Sequence, residues 1–551
     1  MGSIAPLKSE IEHPNSEIIK MDSSCISYKD TGYFSATLIN YLDDAPDLRS
    51  FYSYRPTLEG FAELFKHKKT TTDRKLLVKV LTEQYASLKE HTNIEFPLQG
   101  VRGLLNENTY TITTGHQLNI FAGPLYFIYK IVTAIKLSRQ LKKAFPDKNF
   151  VPVYWMATED HDFPEINHTN IGGKKVQWDM DAAGATGRLA TKTIRQALNQ
   201  YKGVLGMEGH GSNLAGIVET AYTKFSNLAD ATRYLVNALF GQYGLVIVDA
   251  DNIELKQQFA PVIEQDIVEQ NSFKHISATN KLLQAIDVHI QVNPREINFF
   301  YLTDGLRERI VFEDGRYQVL NTTISFSEDE LRAEIKHHPE RFSPNVVMRP
   351  LYQEMILPNV AYIGGGAEIV YWLELKASFD HYGVTFPVLM LRNSGLIISK
   401  DIVPKIARTG FRPQDFFKTG DELKNCWIKR NTHHNLSLQT EWQELESIFE
   451  KIKERASKID ITLSPSTAAV AARLKHAMHN LEKKLIRAEK HNYTTRLAQI
   501  DQIRASLFPN NSLQERTDNF GLFYVKWGQI FIDELIRNFQ PLDFEFCILE
   551  E

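Results

Sequence analysis

Only three of the 551 residues are cysteine. Cys25, Cys426 and Cys547 lie far apart in the chain and form no CxxC pair. That spacing argues against a disulfide framework and a thiolate zinc cluster, and it points to a reducing, cytoplasmic compartment. Charge of one sign is also lacking. Lys and Arg number 63 against 67 Asp and Glu, a net charge of −4, so no basic footprint for nucleic acid is expected. No apolar run reaches the ~18 residues that a membrane span needs. The opening residues, MGSIAPLKSEIEHPNSE, carry no apolar stretch of signal-peptide type. Gly2 follows Met1, but Pro6 stands where a myristoylation site wants Ser or Thr. What remains is ordinary globular composition, 43% hydrophobic and 24% charged. At about 150 residues per domain, the length predicts two to four units.

The pattern sharpens after residue 100. Thr109–Thr114 (TYTITT) is β-branched and reads as a strand. It runs into the loop Gly115–Gly123 (GHQLNIFAG), closed by Pro124, and then into Leu125–Ala144, whose apolar residues recur at helical spacing. Pro152–Ala157 (PVYWMA) is a fully apolar strand that leads into the polar run Thr158–His168 (TEDHDFPEINH). Strand, loop, helix and strand in about 45 residues make a βαβ unit, hence a parallel sheet with a right-handed crossover. The pattern recurs at Gly244–Asp249 (GLVIVD), at Val360–Ile363 before Gly364–Gly366, and at Phe386–Leu391. The fold class is therefore α/β with a Rossmann-like parallel sheet. Residues 1–395 form the core, with β-like insertions near 169–213 and 273–345. Residues 396–505 differ: Trp442, Phe449 and Ala456, and Leu445, Ile452 and Ile459, are spaced by seven. A break at Ser464–Pro465 precedes a second pair of series, Ala471, Met478 and Leu485 with Leu474, Leu481 and Ala488. This predicts a helical hairpin of coiled-coil character. The aromatic-rich residues 506–551 are expected to dock back on the core.

The segment Thr113–His168 is the expected centre of the active site. Loops after parallel strands lie where α/β enzymes bind ligands. Gly115, His116, Gln117, Asn119 and Gly123 lie in the first loop, where backbone N–H groups at a helix start can hold a phosphate or carboxylate. The second loop puts Glu159, Asp160, His161, Asp162, Glu165 and His168 within ten residues after a buried strand. So many ionisable groups repel one another unless they bind something. They can serve as general acid or base, or hold an amine; the plain alternative is a solvated acidic loop. His161 and His168 are seven apart with no HxxxH or HxH spacing, so no metal ligand set is read here. A third loop, GGGAEIVYW, offers Gly364, Gly365, Glu368 and Tyr371; its alternative is a tight turn with an acid favoured by the helix dipole. Arg392 and Ser394 follow the last strand, and Arg349 precedes Pro350. Arg suits bidentate capture of carboxylate or phosphate, and an internal ion pair is the competing role.

The stretches TGHQLNIFAGPLYFIYKIVTAIKLSRQL, FVPVYWMATEDHDFPEINH, YIGGGAEIVYWLELK and FPVLMLRNS resemble the BshC family, proposed cysteine ligases of bacillithiol biosynthesis. The resemblance is closest over residues 113–168, and its order of elements extends over nearly the whole chain. It implies a Rossmann-like core with connecting-peptide insertions, and a coiled coil linked to homodimerisation. It also implies an activity, joining L-cysteine to the amino group of glucosaminyl malate. The family crevice is lined by the motifs matching residues 115–123 and 159–168, which makes His116, Glu159, Asp160, His161 and Asp162 the catalytic candidates and the other loop residues substrate-binding ones. ATP or ADP is the expected cofactor, and the need for a metal is left open. Related adenylating ligases carry HIGH and KMSK motifs; this chain has neither. Two other classes compete: nucleotidyl transfer to a small molecule, and a non-catalytic dimeric scaffold.

Overall fold

The computed structural model describes residues 20–68 and 70–551. The N-terminal stretch read above for targeting signals lies outside the described residues. A five-stranded, all-parallel sheet forms the centre. Its strands are β1 (Thr109–His116), β2 (Asn149–Met156), β3 (Val246–Asp249), β4 (Asn359–Gly364) and β5 (Val388–Leu391), in spatial order β5-β4-β1-β2-β3. The strand order reverses between β1 and β4, the doubly wound arrangement in which ligands bind at the switch point beyond the carboxyl ends. Helix α1 (Leu125–Ala144) makes the first crossover, and α2 (Gly366–Leu373) follows β4.

The sequence of β1 explains how it can sit between two neighbours. It is rich in threonine, and its interior residues are buried. Threonine side chains suit a strand, but a buried hydroxyl needs a partner. Thr111 and Thr113 both donate to Asn359 Oδ1, at 3.1 and 2.8 Å, and Thr114 donates to the Ile363 carbonyl at 2.9 Å. All three bonds go to β4, so the hydroxyls fix the β1–β4 register at the switch point.

The two insertions are more helical than their sequence suggests. The first opens with a hairpin, His168–Ile171 and Lys174–Gln177, then turns helical at Arg195–Leu205 and Gly209–Lys224. The second begins with a helix, Asn271–Gln284, before a five-stranded antiparallel sheet that includes Phe299–Thr303, Leu306–Glu313 and Phe342–Pro344. Short turn-rich runs hid helices whose apolar stripe is only two or three residues wide.

Beyond the core, α3 (Gln439–Ile459) and α4 (Leu463–Asn492) pair as the hairpin. The break falls at residues 460–462, four residues before the expected proline. Pro465 lies in the first turn of α4, where no N–H is needed for a helical bond, and Asp460 Oδ1 accepts the Thr462 N–H at 2.8 Å to close the turn. The final strand, Glu545–Glu550, pairs antiparallel with Asp22–Ser27 and parallel with Gly395–Ile398, next to the core. This sets Cys25 opposite Cys547, although they are remote in sequence; both thiols are free.

The C-terminal segment also braces the first glycine loop. Phe121, Ala122 and Gly123 have φ of 54°, 61° and 51°, a left-handed run that costs energy at the two non-glycine positions. A Cβ on Gly123 would lie 2.6 Å from Asn119 Cβ. The buried Asn519 amide holds this run: Nδ2 reaches the Phe121 and Gly123 carbonyls at 2.9 and 2.8 Å, and Oδ1 accepts from Tyr201 and the Gly521 N–H. Asn519→Ala leaves these groups without partners, so urea unfolding should register a loss of about 3–5 kcal/mol. A loss below about 1 kcal/mol would mean the loop holds its own shape.

Candidate functional site

A lysine joins the two glycine loops at the switch point. Lys130, in the second turn of α1, has a side chain only 4% exposed. Its Nζ donates to the Gly115 carbonyl at 2.8 Å and meets Glu368 Oε2 at 2.6 Å. Glu368 also accepts from the Gly365 N–H at 2.7 Å and from the Tyr362 hydroxyl at 2.9 Å. Burial works to raise this carboxyl, but Lys130 and the two donors outweigh it and hold it below the usual carboxylate range. Tyr371 sits beside Tyr362 and Arg349. The Arg349 guanidinium lies 5.9 Å from the Trp155 ring centre and 5.7 Å from that of Tyr362, and it donates to Gln353 Oε1 at 2.9 Å.

His116 ends β1. Its ring stacks on Phe127 and meets Tyr126 edge-on. Burial, reinforced by Lys130 and Arg392, pushes its pKa well below the ordinary histidine value, so it is a neutral imidazole. Its Nε2 is buried without a partner among the described residues.

Four N–H groups of the glycine loops are engaged within the protein. Phe121 N–H donates to Tyr222, Gly123 N–H to the Ile120 carbonyl and Leu125 N–H to the Asp518 carbonyl. Gly365 N–H is taken by Glu368. Those four donors are satisfied internally. Gly123 supplies a left-handed conformation, Gly115 a carbonyl for Lys130, and Gly364 a close approach, since a Cβ there would lie 3.0 Å from Glu368 Cβ.

The acidic loop after β2 is neutralised by cations that sequence reading missed. Glu159 pairs at 2.5 Å with Lys256, whose side chain is 0% exposed and which also donates to the Phe342 carbonyl. Burial still pushes Glu159 up, with Lys256 opposing. Asp160 accepts from Gln117 at 2.7 Å and from the His161 N–H at 2.8 Å. Gln117 reaches Glu165 as well, and Asn119 donates to the Glu165 carbonyl, so the first two loops are tied together. Arg307, from the inserted antiparallel sheet, lies 2.5 Å from His161 Nδ1 and stacks on Phe300. Burial, then Arg307, lowers the His161 pKa. A guanidinium can only donate, so Nδ1 accepts and the ring proton sits on Nε2. Asp162 is exposed.

Arg392 lies at the switch point beside Gly365 and Tyr126, with its Nη2 donor turned to the C-terminal segment. Arg392 and Ser394 are buried in the joint between core and C-terminal segment. Arg392 pairs with Glu515 at 2.6 Å and donates to Ser394 Oγ and the Asn393 carbonyl; the internal ion pair is its role. His168 opens the first hairpin, with Nδ1 3.1 Å from Asn167 Oδ1. Among the described residues no group of three or more His, Cys, Asp or Glu is placed to hold a metal ion.

Lys130, Lys256 and Arg307 gave one usable signal. Lys130 interrupts an apolar helix face, LYFIYKIV, where a lysine without an anion is costly.

Comparison with known proteins settles the lineage. The N-terminal Rossmann-like domain of bacillithiol-biosynthesis BshC matches residues 21–393, and its C-terminal coiled-coil domain matches residues 395–551. The chain belongs to the BshC family. BshC of Flavobacterium johnsoniae, named a proposed cysteine ligase, is 43% identical over 96% of this chain and 100% of its own. BshC of Flavobacterium psychrophilum is 44% identical over 96% of this chain and 100% of its own, and that of Bacillus cereus 26% identical over 91% and 95%. Among solved structures, a Mycobacterium tuberculosis methionyl-tRNA synthetase with methionyl-adenylate shares 11% identity over 78% of this chain and 90% of its own, at a TM-score of 0.22. That likeness is too weak to bear on the site.

In this BshC chain, Lys130→Met would leave the half-buried Glu368 carboxylate without its cation, at a cost of about 2–3 kcal/mol at pH 7. A carboxyl held below its unfolded value contributes stability above that value, lost as pH falls through the folded one. Without Lys130 the carboxyl is raised instead, so the gap between variant and parent should narrow from pH 7 to pH 4. Denaturant titration at several pH values measures this. A gap of constant size would show that the Glu368 charge is not its source.

Proposed function

We propose that the chain is a ligase that forms an amide between the L-cysteine carboxyl and the amino group of glucosaminyl malate, giving bacillithiol. The observation that carries this reading is membership of the BshC family over both domains, with the loops meeting at one switch point. An ammonium has no lone pair, so the amine must lose a proton before it attacks. Glu159, Asp160 and Glu165 are engaged with Lys256 and Gln117. Asp162, exposed beside His161, makes no side-chain hydrogen bond or ion pair among the described residues, and it is the carboxylate left to accept that proton. His161, its proton on Nε2, is the group suited to donate to the oxygen on which charge develops.

Joining a free carboxylate to an amine requires an energy donor, and the reading assigns this to ATP, with ADP as the other nucleotide to be tried. Four N–H groups of the two glycine loops are already bonded within the protein. Purified protein with cysteine, glucosaminyl malate and ATP should yield bacillithiol by mass spectrometry, and Asp162→Asn and His161→Ala should each lower kcat by roughly 10²–10⁴-fold. Omission of ATP, its replacement by ADP and addition of Mg²⁺ complete the arms. No product in any arm would refute the reading, and pyrophosphate release independent of cysteine would favour nucleotidyl transfer.

The reading places the enzyme in a reducing cytoplasm as a homodimer. No helix among the described residues is long and apolar enough to cross a membrane. In the hairpin, one heptad series on each helix packs inward while the other is covered only at Leu445 and Leu474, which are half-buried. Trp442 is buried and Phe449 and Ala456 half-buried; Ile452, Ile459 and Leu481 are exposed, Ile459 by 82%. A second copy of the same hairpin is the surface that would cover them. Ile452→Lys with Leu481→Glu should halve the mass in sedimentation and leave the fold intact. An unchanged dimer would exclude this face.

A further inference from the structure

Three cations meet at the switch point, and two of them are fully engaged. Lys130 is held by Glu368 and the Gly115 carbonyl, and Arg392 by Glu515, Ser394 and the Asn393 carbonyl. Arg349 is different. Its Nη1 donates to a neutral amide, Gln353, and its Nη2 is buried with no hydrogen-bond partner among the described residues. The acids bonded within this group are Glu368 and Glu515, and their bonds go to Lys130, Tyr362 and Gly365 and to Arg392 and Gly395, none to Arg349. The next acid, Glu354, is reached only through Gln353, which donates to it at 2.9 Å; burial pushes its carboxyl up, and Lys68 is its nearest cation. Arg349 is therefore the one of these three cations with no acid bonded to it, a half-buried guanidinium whose Nη2 edge is buried and unpaired.

The guanidinium is also held in one orientation. The rings of Trp155 and Tyr362 flank it. Gly115 leaves the space beside it open, since a Cβ there would lie 3.6 Å from Nη1 and 3.7 Å from the Tyr362 hydroxyl. The remaining neighbours are neutral: the Tyr371 hydroxyl beside Arg349, and His116, which ends the same strand as Gly115. A planar donor fork, fixed by aromatic walls and with no acid bonded to it, matches an oxyanion with two oxygens in a plane.

We infer that Arg349 is the anchor of an oxyanion subsite at the switch point, taking a carboxylate or phosphate group of the small-molecule substrate. The inference deepens the ligase reading, because glucosaminyl malate carries two carboxylates, but it does not need turnover to be tested. Calorimetry on the full chain with L-malate and, separately, inorganic phosphate reads binding directly. The parent protein should bind at least one of them, and the tighter of the two identifies the source of the oxyanion. Arg349→Gln should weaken that binding at least tenfold, and Arg349→Lys, which keeps the charge without the fork, should fall between. Thermal melts of both variants check that they are folded; the Lys variant keeps the comparison valid if Gln disturbs the helix. Binding unchanged in the folded Gln variant, or no binding of either anion to the parent, would overturn the inference. Anion binding lost with Arg349 in a protein that makes no bacillithiol would keep this subsite and reject the ligase reading.

Discussion

A lysine cannot remain charged in a protein interior without an anion and hydrogen-bond acceptors, and Lys130 sets that requirement at the point where the sheet reverses. Its partners come from two different βα loops, the Gly115 carbonyl after β1 and Glu368 after β4. Those strands are far apart in sequence and adjacent in space. The threonine hydroxyls of β1 and the Asn359 carboxamide fix their register, so that carbonyl and carboxylate arrive on the same ammonium. This arrangement also decides what Glu368 is not. With Lys130, Gly365 and Tyr362 all directed at it, it is held below the usual carboxylate range and is a weak base. It is a positioning group, and the glycine run around it is there to let the carboxylate close back on its own loop.

A second constraint follows from the first glycine loop. Two non-glycine residues in left-handed conformations persist only where the surroundings over-determine them. The surroundings here are supplied by the end of the chain, through Asn519 on the loop carbonyls and Glu515 on Arg392. Residues after 506 therefore belong structurally with the core, although the family description groups them with the coiled coil. The hairpin is the part that projects, and its outer heptad series is what the core does not cover.

Local pattern carried most of the architecture. The TYTITT strand, the 20-residue crossover helix and PVYWMA were legible because periodicity and β-branching act within a few residues. The site was legible only in its acids and histidines, which cluster along the chain. Its cations were not, because a buried lysine or arginine is spelled the same as a solvated one. Lys256 meets Glu159 across 97 positions, and Arg307 meets His161 across 146. Arg392 was ambiguous for the same reason: the partner that commits it to an internal ion pair is Glu515, 123 residues on. The hairpin turn was displaced because proline was read as a helix breaker, whereas in a first turn it is compatible with the helix.

The acidic run after β2 loses some of its functional weight once those cations are in place. Clustered carboxylates suggest a bound ligand when their repulsion is uncompensated, but Lys256 compensates Glu159, and Gln117 with two backbone N–H groups satisfies Asp160. Density of charge is then a poor guide to reactivity within the crevice. The better guide is which groups the fold has left unengaged. By that measure Asp160 ties the loop to the first glycine loop through Gln117, and Glu159 ties it to the inserted sheet through Lys256. The proposed ligase reading gives the chemistry to groups the fold leaves unengaged: a carboxylate at Asp162, an imidazole N–H at His161 opposite Arg307, and one buried guanidinium edge at Arg349. A base, a neutral hydrogen-bond donor and an anion anchor are a minimal set for presenting a carboxylate-bearing amine to an activated acyl group. All three are positioned by elements that meet at the carboxyl end of one parallel sheet.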